Sequence, residues 1–126
     1  MKTVEDLNRL IRDEIMAIEA LRSEDEKIWS ARGGVTEANA KRSKKIRRMI
    51  GDHNNEIAHL RRLIRFVEAT PEEGVRMMLD QLHEQVARIT ASANRYKLKE
   101  QKKEYLTHAG AQLKHTQIAE LEFLLQ

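Results

Sequence analysis

Between Val4 and Val67 apolar residues recur in steps of three and four on both sides of a double glycine. A pattern of that period makes helices that must pack on helices. Downstream of the glycines the series is Ile46, Ile50, His53, Ile57, Leu60, Ile64 and Val67, a heptad seam with a histidine at its middle. Upstream it is Val4, Leu7, Ile11, Glu14, Ile18, Leu21, Asp25 and Ile28, with Glu14 set inside the run. Gly33-Gly34 is the natural fold point of the pair, since glycine adopts the left-handed geometry that ends a helix. Glu14 lies 20 residues before Gly34 and His53 lies 19 after it. At about 1.5 Å of rise per residue, the two polar groups face each other at nearly the same height.

The rest of the chain supports an all-α reading. Five glycines and one proline among 126 residues leave few places to turn, and aromatic residues make up 4%, so the core must be aliphatic. Helix 1 is expected from a Thr3 N-cap, with Asp6 as the reciprocal capping-box partner, to about Ala31 before Arg32-Gly33-Gly34. Helix 2 follows Thr36 and runs to Ala69. Thr70-Pro71-Glu72-Glu73 then reads as an N-cap, a proline at the first helical position and two acids in the first turn. Helix 3 carries Val75, Leu79, Leu82, Val86, Ile89, Ala93 and Tyr96. A turn between Asn94 and Lys99 gives a fourth helix from about Glu100 to Leu125, with Leu106, Ala109, Leu113, Glu120 and Leu124 on one face. Short connections make sequential helices antiparallel neighbours. The expected architecture is a single helical-bundle domain over residues 1–126, four helices arranged up-down-up-down, built from hairpins 3–69 and 71–125.

Composition excludes several chemistries. With no cysteine there is no disulfide, thiolate metal site or cysteine nucleophile. No Gly-x-Ser-x-Gly elbow and no glycine-rich phosphate loop after a strand is present, so an enzyme is not expected. No apolar run approaches a membrane span and the first residues do not read as a signal peptide, which points to a cytoplasmic protein with no membrane partner.

The candidate chemistry is at Glu14 and His53. A carboxylate in an aliphatic seam costs several kcal/mol unless paired, and a histidine at the same level can satisfy it and fix the register. Alternatively both could ligate iron or another divalent metal, with Glu56 leaning in from about 70° off the seam as a third ligand. Glu56-Ile57-Ala58-His59 matches a Glu-x-x-His pattern, but His59 falls about 130° from the seam, toward solvent. His83, His108 and His115 read as surface histidines.

The segment LNRLIRDEIMAIEAL, Leu7 to Leu21, resembles the first helix of ferritin-like proteins, bacterioferritins in particular, and DHNNEIAHLRRLI, Asp52 to Ile64, looks like their second helix. The resemblance covers about half the chain and implies Glu14 and His53 at iron-ligand positions. It also shows departures. The second-helix glutamate falls on Ile50. If His115 stands for the fourth-helix histidine, its glutamate partner is Gln112, and Glu84 would have to be the third-helix carboxylate. Thr70-Pro71 leaves no room for the family's long crossover. The resemblance thus implies a relative with a degenerate metal site.

Two basic runs remain. Lys41 to Arg48 carries six cations and could face a nucleic acid, but it lacks aromatic residues for stacking. A fold at the glycines sets Glu24, Asp25 and Glu26 beside it. Lys97, Lys99, Lys102 and Lys103 mark an exposed turn. Met77-Met78 with Leu79 reads as core and its flank. Ile118, Leu121, Phe123, Leu124 and Leu125 spread around the last helix, so part of this apolar surface is expected to form an interface. The expected function is a non-catalytic interaction or scaffold protein, self-associating or bound to a helical partner, with no cofactor. Metal binding through Glu14, His53 and Glu56, and nucleic-acid binding through residues 41–48, are the alternatives.

Overall fold

The computed structural model describes residues 1–31 and 33–126. Arg32, part of the expected helix stop, lies outside them. The described residues form five helices and no strand: α1 (Val4–Trp29), α2 (Glu37–Ala69), α3 (Glu72–Ala93), α4 (Lys99–His108) and α5 (Ala111–Leu125). The chain divides into two compact units, Thr3–Ala69 and Met1–Lys2 with Thr70–Gln126.

The first unit is the hairpin of α1 and α2. Its start comes from local chemistry, because the Thr3 hydroxyl accepts from the Asp6 amide at 3.1 Å and the Thr3 amide donates to the Asp6 carboxylate at 2.9 Å. Two of the amides that a helix start leaves without intrahelical partners are thereby satisfied. The turn uses Gly33 at φ 91° and Gly34 at φ 86°, a region where a side chain is strained. Thr36 caps α2 by accepting from the Asn39 amide at 3.1 Å. The core holds Leu7, Ile11, Ile18 and Leu21 of α1 with Ile46, Ile57, Leu60 and Leu63 of α2. The expected seam is buried only in part, with Val4, Ile28, Ile50, Ile64 and Val67 half-buried. Leu63 is buried where Ile64 is half-buried, and Ser43, three residues before Ile46, is 1% exposed.

The second unit packs α3 antiparallel on α5, with α4 between them in sequence. Lys114 donates to Gln85 at 3.1 Å, and the His83 ring lies 3.6 Å from Glu122. Val75, Ala93, Ala111, Ile118, Leu121 and Leu124 form its buried centre. The first two residues belong here as well. The Lys2 amide donates to the Leu124 carbonyl at 2.6 Å, and its ammonium sits 4.8 Å from the centre of the Phe123 ring.

Expectations need correction at four points in this unit. Tyr96, expected on the face of helix 3, lies beyond its end at Ala93 and is 44% exposed. Pro71, not Thr70, is the N-cap of α3, with no side-chain cap, so the helix starts one residue later than expected. The expected fourth helix is two helices, because Gly110 takes φ 71° and resets the helical phase after Ala109. That break turns Leu113 outward to 63% exposure and places Ala111, Ile118, Leu121 and Leu124 inside. Met77 and Met78, expected as core and flank, are 58% and 40% exposed.

Candidate functional site

The hairpin brings Glu14 and His53 together as their spacing requires. Their neighbours one turn away, Ile11 and Ile18 on α1 and Ile57 on α2, are buried and hold both helices face to face. The imidazole Nδ1–H of His53 donates to Oε2 of Glu14, and the two side chains are 30% and 25% exposed. The pair is therefore half-buried, with each group satisfied by the other at the edge of an apolar seam. In such a setting a hydrogen bond to a carboxylate fixes one alignment of two helices.

Glu56 does not join them; it is exposed. Among the described residues no group of three or more His, Asp or Glu side chains is placed to hold a metal ion. A carboxylate-bridged di-metal centre in a bundle draws on four glutamates and two histidines. The donor set that Glu14 and His53 present does not fit such a centre. The other residues named by the ferritin resemblance are no closer to forming one. Glu84 pairs with Arg88 one turn along α3, and Gln112 and His115 are exposed on α5. His59 is half-buried rather than solvent-facing, with Nδ1 3.4 Å from Arg62.

A second polar cluster closes the hairpin near its turn. The Trp29 indole N–H donates to Ser43 Oγ at 3.0 Å, and the Ser43 hydroxyl in turn donates to Asp25. Arg47 lies 3.9 Å from Asp25 and 5.7 Å from the centre of the Trp29 ring. Beside it Arg42 forms a bidentate pair with Glu24, both bonds 2.9 Å. That geometry holds the Glu24 carboxyl below the usual carboxylate range and raises the Arg42 guanidinium, the hydrogen bond being the largest cause in each case. Sequence reading placed acids and bases at this level but missed Ser43. The signal was there: Ser43, Ile46, Ile50 and His53 continue the same three-and-four stepping.

These pairs consume part of the basic run. Arg42, Arg47 and, through Glu37 at 3.7 Å, Lys41 have partners inside the unit. Beside the Glu14–His53 pair an open groove of about 270 Å³ runs between the helices. It is lined by Ile15, Ile18, Glu19 and Arg22 of α1 and by Asn54, Ile57, Ala58 and Arg61 of α2. The spacing i, i+3, i+4, i+7 on both helices makes it the side of a coiled pair. It is shallower and more open than the concave sites that take small molecules.

Compared with protein-family models, with curated proteins and with solved structures, the chain matches none.

Proposed function

We propose that this chain is a non-catalytic helical interaction or scaffold protein that associates with itself or with a helical partner. The observation that carries the reading is where its polar and apolar groups are spent. The polar residues inside the hairpin seam, Glu14 with His53 and Asp25 with Ser43, engage one another. Large apolar side chains lie outside instead: Met16, Trp29, Met77 and Leu113 each keep more than half of their surface in solvent. Methionine and tryptophan are enriched at protein interfaces, where flexible or amphipathic side chains adapt to a partner. A cytoplasmic setting belongs to the same proposal.

The C-terminal helix is a smaller interface than its composition implies. Ile118, Leu121 and Leu124 are buried within the unit and Phe123 and Leu125 are half-buried, which leaves Leu113 as its large exposed apolar side chain. The competing metal reading rests on the meeting of Glu14 and His53 and is tested together with the first. Elemental analysis and light scattering on the untagged protein are expected to give a metal-free dimer or larger assembly. A monomer carrying near-stoichiometric metal that Glu14→Ala or His53→Ala removes would overturn the proposal in favour of metal binding. A metal-free monomer that captures no helical partner would overturn it outright.

A further inference from the structure

A group of unpaired cations lies in the turn between α3 and α4 and along the start of α4. Arg95, Lys97, Lys99, Lys102 and Lys103 fall within nine residues, and none of their side chains makes an ion pair or hydrogen bond among the described residues. In residues 41–48, by contrast, three of the six cations are paired. On α4 the three lysines share an arc of about 100°, and Glu100 and Glu104 lie further round the helix. Leu98, flanked by Lys97 and Lys99, is 62% exposed, and Tyr96 is 44% exposed with its ring 5.4 Å from that of Tyr105.

We propose that this turn is a peripheral docking site for an anionic lipid bilayer. Leu98 and Tyr96 enter the headgroup region, and the surrounding cations meet lipid phosphates and carboxylates. The aliphatic side chain decides among anionic partners. A single-stranded nucleic acid offers bases to stack on aromatic rings and gains nothing from Leu98, whereas the interface of a bilayer accepts both an aliphatic tip and a tyrosine ring. No helix among the described residues is long and apolar enough to cross a membrane, so the contact is with the surface. It adds a peripheral membrane contact to a chain for which no membrane partner was expected.

The test is sedimentation of the full chain with phosphatidylcholine vesicles, with and without about one-third phosphatidylserine. Binding is expected with the anionic lipid and to weaken steeply with salt. Each cation near such a surface contributes about fivefold, so Lys97→Gln/Lys99→Gln/Lys103→Gln is expected to lower partition about 100-fold. Leu98→Ser is expected to lower it several-fold with the salt dependence unchanged. Leu98 is the N-cap of α4, a position that favours serine, so that loss would not reflect a lost helix. A Lys44→Gln/Lys45→Gln/Arg48→Gln control is expected to retain binding. The proposal is overturned by equal binding to neutral vesicles, by no binding at low salt, or by an equal loss in the control. It is also overturned if Leu98→Ser binds normally while oligouridylate competes with the vesicles, which would assign the turn to nucleic acid.

Discussion

The chain has one tryptophan, and it donates to the one buried polar side chain among the described residues, which makes Ser43→Ala a perturbation with its own reporter. The substitution removes an oxygen that accepts from the Trp29 indole and donates to Asp25. Trp29 is 54% exposed, so its N–H finds water and that loss is small. The Asp25 side chain is 19% exposed and keeps Arg47 at 3.9 Å, so it is partly compensated. A hydrogen bond to a charged group contributes about 1.5–3 kcal/mol when fully retained, and an incompletely buried one less. The expected cost is therefore about 1–2 kcal/mol. For a chain of this size that lowers the melting midpoint by roughly 3–8 °C. Thermal unfolding followed by Trp29 fluorescence reads the α1–α2 hairpin, and far-UV circular dichroism reads all five helices. The emission of the folded variant is expected to shift to the red as the indole exchanges serine for water. A variant with unchanged midpoint and emission would refute the reasoning, because it would mean that the Trp29–Ser43–Asp25 chain does not hold the end of the hairpin.

Three further outcomes are expected. Glu14→Ala and His53→Ala should each cost about 1–2 kcal/mol in urea unfolding, whereas Glu14→Leu/His53→Leu should be near neutral or stabilising, because the seam then carries no polar group to satisfy; additive losses in the double variant would contradict a mutual pair. Gly110→Ala should cost about 1 kcal/mol by calorimetry, since alanine must adopt φ near 71°, and Gly110→Asn should cost less because asparagine tolerates that region. Glu24 is held below the usual carboxylate range by Arg42, so the unfolded chain binds that proton more readily. The pair's small contribution is present above the ordinary carboxylate value and disappears as pH falls through the lowered one. Stability measured against pH in Arg42→Gln should lose that part of the acid slope, and an unchanged slope would show that the bidentate contact does not persist in solution.

What could be read from the sequence was what short-range chemistry decides. Thr3 and Asp6 form their capping box because both partners lie within one turn. Glu14 finds His53 because rise per residue and a glycine turn suffice to set height. The misses came where one residue changes the helical phase of its downstream neighbours. Gly110 sits in a stretch whose apolar spacing continues a helix on paper, yet its left-handed backbone ends α4 and rotates α5, so Leu113 turns outward and Ala111 is buried. Thr70 has the side chain of a cap, but Pro71 at φ −70° and ψ 159° occupies that position itself. The two basic runs look alike by composition. What separates them is which acids the hairpin turn carries across, and that depends on tertiary pairing.

The ladder of polar contacts along the hairpin also sets an order of assembly. Arg42 and Glu24 are 18 residues apart, and His53 and Glu14 are 39 apart. Closing the longer loop from an open chain costs about 0.7 kcal/mol more entropy than closing the shorter one. The charged clasp beside the turn is thus the cheaper first contact, and once it is made the Glu14–His53 pair is reached by zippering along helices rather than by a search. A hairpin that zipped one heptad out of step would set His53 against Leu7 or Leu21 and Glu14 against Ile46 or Leu60, leaving both polar groups without a partner. The two half-buried groups then act as a checkpoint, passing the correct alignment and arresting the slipped one while it can still unzip.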